Sequence, residues 1–350
     1  MRHKAWFNLA KKVIASNRRE LEMPYKLTYV VTKECHSRCL HCDIWKTKPQ
    51  NELTLDELEQ LARNSPFLSW VDFTGGEPTD RADFAEIVQT FLRHIPDLLF
   101  VHFPTNGINT KRICEAARNI ARCRPDKFVV TVSLDGPAAA HDKLRGIPGN
   151  FSKAIQTYIG LRRIEGLSVY LGMTLYPENI NMVGQTFEEV RRAVPGFRPD
   201  ELHLNLPNIS EHYYENASTP IEVNEEFVRI IENVMKIRGL PLSPFALLER
   251  LYQKQVRQYV QTGVCPQDCS ALMSSCFLSE TGLIYPCSIW DQPVGSIREH
   301  GYDLRPIIKG QRAVDLRREL LAKNCPNCWT PCEAYQTIAA NLVESIKGKR

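Results

Sequence analysis

The sequence predicts an α/β fold: a partial (β/α)6 TIM-like barrel followed by a small, cysteine-rich C-terminal domain. Three observations predict it. Between residues 27 and 206, short apolar β-rich runs alternate six times with amphipathic stretches, the pattern of βαβ units and a parallel sheet. Polar turns follow the strand runs, at the end where barrels of this kind carry their sites. Seven of the twelve cysteines fall from Cys265 onward, which separates a thiol-rich tail from the repeating part.

Residues 1–24 are basic and place Trp6, Phe7, Leu9, Ala10, Val13 and Ile14 at helical spacing, so an N-terminal amphipathic helix docked on the barrel is expected. They lack the apolar core of a signal peptide. Strands are expected at 27–31, 70–74, 98–103, 128–134, 169–175 and 201–206. Helices are expected at 55–63, 84–94, 112–121, 151–165 and 183–194, with Thr54 and Glu57 as a capping box for the first. Right-handed crossovers curl these units into a barrel over 25–240. Six units rather than eight leave a lateral opening that suits a sizeable substrate. Helices at 225–238 and 245–261 follow, the second forming a bridging segment, 241–262, to a tail domain at 263–350.

A net charge of +4 on 350 residues is slight and gives no case for nucleic-acid binding. The apolar runs are strand-sized, well short of a membrane span. Twelve cysteines without an export signal argue for metal ligation in a reducing, cytoplasmic setting rather than for disulfides. Cys114 and Cys123 read as ordinary buried thiols in or beside a helix.

The chemistry concentrates in Cys35-His36-Ser37-Arg38-Cys39-Leu40-His41-Cys42, directly after the first strand run. This spacing lets one loop wrap three sulfurs around one cluster. A cubane iron–sulfur cluster normally takes four cysteines, so three leave one iron open for chemistry. The alternative is a zinc loop completed by His36 or His41. After the second strand, Gly75-Gly76-Glu77-Pro78 allows close backbone approach of a ligand and offers Glu77 to an ammonium group. After the fourth, Ser133 and Asp135 suit ribose hydroxyls, and Arg145 suits bidentate grip of a carboxylate. Asn181 is a weaker cofactor candidate. The polar, aromatic stretch after the sixth strand supplies Asn205, Ser210, His212 and Tyr213 as substrate contacts.

Cys-x3-Cys-x2-Cys after one strand and Gly-Gly-Glu-Pro after the next resemble the radical S-adenosylmethionine (radical SAM) superfamily. The resemblance implies an open-iron [4Fe-4S] cluster on Cys35, Cys39 and Cys42 that chelates S-adenosylmethionine. Reductive cleavage then gives a 5′-deoxyadenosyl radical that abstracts hydrogen from a substrate. His41 matches the position that carries an aromatic ring beside the adenine, while Ser133 and Arg145 match contacts to ribose and methionine carboxylate. A one-electron donor such as flavodoxin or ferredoxin is implied as partner.

In the tail, Glu280-Thr281-Gly282 reads as a hairpin turn with a thiol on each side, and Cys325-x2-Cys328 follows a helix at 314–321. This resembles the twitch and SPASM auxiliary-cluster extensions. The resemblance implies Cys269, Cys287, Cys325 and Cys328 as ligands of one auxiliary [4Fe-4S] cluster, with Cys332 or Cys276 as alternates. The tail lacks the further cysteines of a full SPASM pattern, so one auxiliary cluster is expected. A zinc site is the alternative here too.

The expected function is therefore radical hydrogen abstraction from a small polar substrate of sugar, aminocyclitol or nucleoside type, with the auxiliary cluster in electron transfer. The N-terminal stretch is too short for a leader-peptide-binding domain, which favours the small substrate over the alternative, a ribosomal peptide or protein side chain. The competing class is an iron–sulfur electron carrier or a zinc-stabilised binding protein. Such a carrier has no use for the glycine pair with Glu77, nor for Ser133 with Arg145.

Overall fold

The computed structural model describes residues 2–219, 223–238 and 244–342. Helix α1 (Arg2–Asn17) precedes the repeating units. Their strands are β1 (Lys26–Val30), β2 (Trp70–Thr74), β3 (Phe100–Thr105), β4 (Lys127–Ser133), β5 (Leu167–Thr174) and β6 (Leu202–Asn205). Helices α2 (Leu55–Asn64), α3 (Phe84–His94), α4 (Thr110–Ala121), α5 (Ala138–Arg145), α6 (Asn150–Leu161) and α7 (Val183–Ala193) connect them. Then come α8 (Glu225–Arg238), α9 (Pro244–Thr262), β7 (Ser275–Leu278), β8 (Leu283–Tyr285), β9 (Gly295–Ser296), α10 (Leu304–Lys309), α11 (Gln311–Leu321) and α12 (Pro331–Ala340). The expected boundary at 240 and the first residues of the bridging segment, 241–243, lie outside the described residues.

The first six strands are parallel and lie in chain order. Their outward residues are apolar because the helices cover them: Phe128, Val130 and Val132 of β4 are buried in the main core. The inward residues depart from the usual barrel, whose centre is packed with branched aliphatics. Here Lys26, Thr28, Asp72, His102, Thr131 and Tyr170 face an open cavity of about 970 Å³. Polar side chains do not close a dry core, because each would lose water without full compensation.

The tail joins this same sheet. Strand β7 pairs parallel with β1, Lys26 opposite Ser275 and Tyr29 opposite Leu278, and β8 and β9 continue antiparallel. The result is one nine-stranded sheet, in which β7 satisfies the backbone groups of the β1 edge.

Helix α1 lies across the N-terminal ends of β2 and β3. Ala5 packs on Leu99 and Phe100, Trp6 meets Phe100 edge-on at 5.3 Å, and Lys12 Nζ donates to Phe67 O and Ser69 Oγ. Trp70 and Phe100 also line the cavity, so α1 backs its closed end. Helix α12, read in the sequence only as a thiol loop, starts with Pro331 at its first turn and places Thr330, Cys332 and Tyr335 on the cavity wall.

Glu57 holds the tail to the barrel. It closes the capping box of α2 with Thr54 and also accepts from Arg298 Nε at 2.7 Å and from the Tyr302 hydroxyl at 3.0 Å. The Arg298 guanidinium, with these other donors, holds the Glu57 carboxyl at about 2 against a modest opposing effect of burial. An unfolded glutamate titrates at about 4.3. The folded value is the lower one, so this stabilisation is fully present above about pH 4.3 and is lost as pH falls toward 2. Urea midpoints measured from pH 5 down to 3 are expected to fall less steeply in Glu57→Gln than in the wild type. Parallel curves would remove Glu57 from the account of acid sensitivity.

Candidate active site

The thiol loop leaves β1 and is held by two neighbours. Arg38 N donates to Arg145 O and Leu40 N to Leu144 O, both at 2.9 Å, so the end of α5 serves as its backing. Gly146 follows at φ +65°, and a Cβ there would sit 2.4 Å from Arg38 O. On the other side Gly76 N donates to Thr32 O and Glu77 N to Glu34 O, while a Cβ on Gly76 would stand 2.2 Å from Glu34 O. The glycine turn thus lets the thiol loop's own backbone pass, besides forming part of the cavity wall with Gly75.

Cys35, Cys39 and Cys42 all line the cavity. Burial pushes Cys35 up to about 11 and Cys42 up to about 12, so metal binding, with release of the protons, is what makes thiolates of them. N–H donors face two of the sulfurs: Asn106 Nδ2 at 3.9 Å from Cys35 Sγ, and Arg145 Nη1 at 3.8 Å from Cys39 Sγ. Three thiols on one wall with donors to sulfur fit a cluster with an open iron. His36 is largely exposed and bound to Asp80 at 2.6 Å. The His41 ring is stacked on Tyr176 at 4.5 Å, and its buried Nδ1 has no hydrogen-bond partner among the described residues. Among the described residues no three Cys, His, Asp or Glu side chains close on a single ion.

The other candidates divide. His41, Gly75, Gly76, Ser133, Arg145, Asn205 and Tyr213 line the cavity with the thiols. Glu77 does not. Its carboxylate is taken up by Thr79 N and Oγ1, by Thr105 Oγ1 and by Asn106 N, all within 3.3 Å. Burial pushes its carboxyl up to about 7. Glu77 thereby pins the turn that aims Asn106 at Cys35.

Asp135 is fully buried, and its carboxylate is taken up within the protein. Its Oδ2 accepts from Arg145 Nε at 2.6 Å and its Oδ1 from Thr174 N at 2.9 Å. Burial alone would raise its carboxyl; Arg145 outweighs that and holds it below the usual range. Asn181 is exposed, and Asn179 is the buried residue, donating to Asp135 O and Thr174 O.

Ser210 and His212 are absent from the described cavity wall. Ser210 Oγ accepts from Tyr213 N, a bond internal to the loop. His212 stacks on Tyr285 at 4.2 Å and sits 3.1 Å from Cys287 O; a carbonyl only accepts, so His212 Nε2 carries the proton. Burial pushes His212 down to about 4. Their loop is a strap: Asn216 Nδ2 donates to His41 O, Asp43 N to Tyr214 O, and Tyr213 OH meets Thr74 Oγ1 at 2.6 Å.

A second thiol chamber lies beside β8. Cys269, Cys287, Cys325 and Cys328 line it, joined by Cys265, which the spacing did not suggest. The two alternates are elsewhere. Cys276 is on β7 inside the main core, and Cys332 is on the barrel cavity with its carbonyl bound by Lys26. Strand alternation turns Cys276 away, and the first turn of α12 turns Cys332 across to the barrel. Tyr214, the last residue of the polar, aromatic stretch after the sixth strand, packs both with the apolar group around Cys35 and Cys42 and with that around Cys269 and Cys287.

A six-strand open barrel with three clustered thiols at the mouth of a polar cavity, and a second thiol chamber at its edge, defines an iron–sulfur barrel enzyme. The radical SAM superfamily model matches residues 29–190, and this part of the chain is a radical SAM domain. It is 25% identical to an AdoMet-dependent heme synthase of Oleidesulfovibrio alaskensis, over 78% of this chain and 72% of that one. It is 29% identical to the mycofactocin maturase MftC of Mycolicibacterium smegmatis, over 50% of this chain and 43% of that one. Among solved structures it is similar to native anSMEcpe with bound AdoMet, with a TM-score of 0.61 and 14% identity over 93% of this chain and 99% of that one. The protein is thus a radical SAM enzyme, with a [4Fe-4S] cluster and S-adenosylmethionine as its cofactors. Its cysteine-rich tail fits an auxiliary cluster. Among the described residues no helix is long and apolar enough to cross a membrane.

Proposed function

We propose that Cys35, Cys39 and Cys42 hold the catalytic cluster and that the barrel cavity behind them holds the substrate. The observation that carries this reading is the continuity of one cavity from the three thiols to the polar inward residues of β1 to β6. Once bound, cluster and S-adenosylmethionine supply a 5′-deoxyadenosyl radical. The chain's own residues bind and orient. His41, backed by Tyr176, offers an aromatic face for the adenine. Ser133 offers a hydroxyl to the ribose, and Gly75 and Gly76 offer main-chain groups to the methionine end. Arg145, anchored through Nε by Asp135, turns its terminal nitrogens to the carboxylate and to Cys39. Asn205 and Tyr213 contact substrate. Cys269, Cys287, Cys325 and Cys328 hold an auxiliary cluster for electron transfer, with Cys265 as a fifth thiol in reach. Flavodoxin or ferredoxin in the cytoplasm supplies the reducing electron.

The substrate class we infer is a small polar molecule of sugar, aminocyclitol or nucleoside type. Support comes from the inward polar rows and from a volume within the range of small-molecule sites, about 300–1,000 Å³. The second reading, a peptide or protein side chain, is favoured by the similarity to a mycofactocin maturase.

Two measurements test this. Four irons per cubane predict about eight irons per reconstituted chain. Iron near four with zinc in the tail would overturn the auxiliary cluster. Perdeuterated sugars, aminocyclitols, nucleosides and peptides, assayed anaerobically with dithionite and S-adenosylmethionine, are expected to pass deuterium into 5′-deoxyadenosine only from the small polar class. Deuterium from peptides alone would replace it with the second reading.

A further inference from the structure

The closed end of the cavity carries a connected polar chain that cofactor binding does not use. Thr28, Asp72 and His102 lie abreast on β1, β2 and β3, all facing inward. Lys26, 1% exposed, is 3.0 Å from Asp72 Oδ2 and also donates to Cys332 O and Gln336 Oε1. Asp72 Oδ1 accepts from Trp70 Nε1 at 2.6 Å and faces His102 Nδ1 at 3.3 Å. His102 Nε2 is 3.0 Å from Thr131 Oγ1. Thr28 Oγ1, buried in the same wall, has no hydrogen-bond partner among the described residues.

The geometry settles which way the imidazole is used. A carboxylate paired to Lys26 only accepts, so the proton of neutral His102 sits on Nδ1, facing Asp72. Nε2 then carries a lone pair, and Thr131 donates its O–H to it. Other titratable groups on the same wall are Lys26 on β1, Tyr170 on β5 and His203 on β6, the last two with ring centroids 4.5 Å apart at a tilt of 32°. Burial of Asp72 works against its charge, and Lys26 outweighs that, which keeps the acceptor ionised.

We propose that His102 is a general acid–base group for the substrate, positioned by Asp72 and Lys26, and that the substrate presents an O–H or N–H group to the closed end of the barrel. This rests on the cavity being the substrate site. In the forward direction the Nε2 lone pair takes the proton of that group, the bonding electrons stay on its oxygen or nitrogen, and the imidazolium charge faces Asp72. The reverse step returns the proton. Thr28 Oγ1 and Thr131 Oγ1 supply the hydrogen bonds that fix the reacting group, Thr131 turning from Nε2 to substrate.

The test uses diethyl pyrocarbonate on the reconstituted holoenzyme, with peptide mapping of each histidine; the reagent acylates an imidazole nitrogen that bears a lone pair. His102 is expected to react, and Thr131→Val to react severalfold faster because no hydroxyl competes for Nε2. Asp72→Asn is expected to slow His102 severalfold, since an amide donates to Nδ1 and moves the proton to Nε2. If that variant fails to fold around the unpaired Lys26, Thr131→Val alone decides. Acylation of His203 without His102, or an unchanged rate in Thr131→Val, overturns the assignment and leaves the cavity reading standing. Failure of both histidines to react shows a cavity closed to solutes and overturns the two together.

Discussion

Replacing Cys35, Cys39 and Cys42 together by alanine is expected to abolish 5′-deoxyadenosine formation while leaving about four irons per chain, the content of one cubane, in the tail. The separation follows from the architecture. The two thiol sets open on different spaces, the barrel cavity and the chamber beside β8. The loop's backbone is held by Arg145 O, Leu144 O and Asn216 rather than by metal alone, so the barrel should persist without the front cluster. Iron counting, electron paramagnetic resonance of the reduced protein and a deoxyadenosine assay on one preparation read both halves. Deoxyadenosine from the triple variant would sink the assignment of the catalytic cluster. Loss of all iron would show that the two sets are not independent.

Arg145→Met is expected to destabilise the fold by about 3–5 kcal/mol, the usual cost of leaving one member of a buried ion pair uncompensated. Asp135 is fully buried, and after the substitution Thr174 N alone, among the described residues, would still donate to its carboxylate. The double variant Arg145→Met/Asp135→Asn should recover most of the loss, because an amide oxygen still accepts from Thr174 and no charge is stranded. Cofactor affinity should behave otherwise. Both variants lose about 1.5–3 kcal/mol of S-adenosylmethionine binding, the worth of a hydrogen bond to a charged group. Arg145→Lys should regain part of it, since an ammonium lacks the planar fork. Urea unfolding and equilibrium dialysis separate the two effects. Wild-type stability in Arg145→Met would refute the buried pair, and unchanged affinity would remove Arg145 from the cofactor.

The repeating part of the fold was legible because its signal is local. Strands buried on their helix-facing side keep a continuous apolar face, and the six runs stand within two residues of the expected bounds. Helices α3 and α8 stand as expected at both ends, their apolar periodicity being strong. Helices α5, α10 and α12 went unread. The first and second have only eight and six residues, too few for a periodic pattern, and Cys332 masked the third as a metal loop.

What the sequence by itself determined is the chemistry available: three thiols in one loop, glycines where that loop must pass, and a tail rich in cysteine. Spacing within a loop is enough for this, because a few residues of chain cannot carry the sulfurs apart. Only the tertiary structure decided which groups meet. The pairing of β7 with β1, the inclusion of Cys265 and exclusion of Cys276 from the tail chamber, and the turning of Glu77 from the cavity to Thr105 and Asn106 all join residues distant in the chain. So does the line from Lys26 through Asp72 to His102 and Thr131, which takes one residue from each of four strands. Each of those side chains, read alone, is an ordinary polar residue in a strand. Their common direction exists only once the sheet curls and its registers are set, since alternation within a strand says that a residue faces one side but not what faces it there.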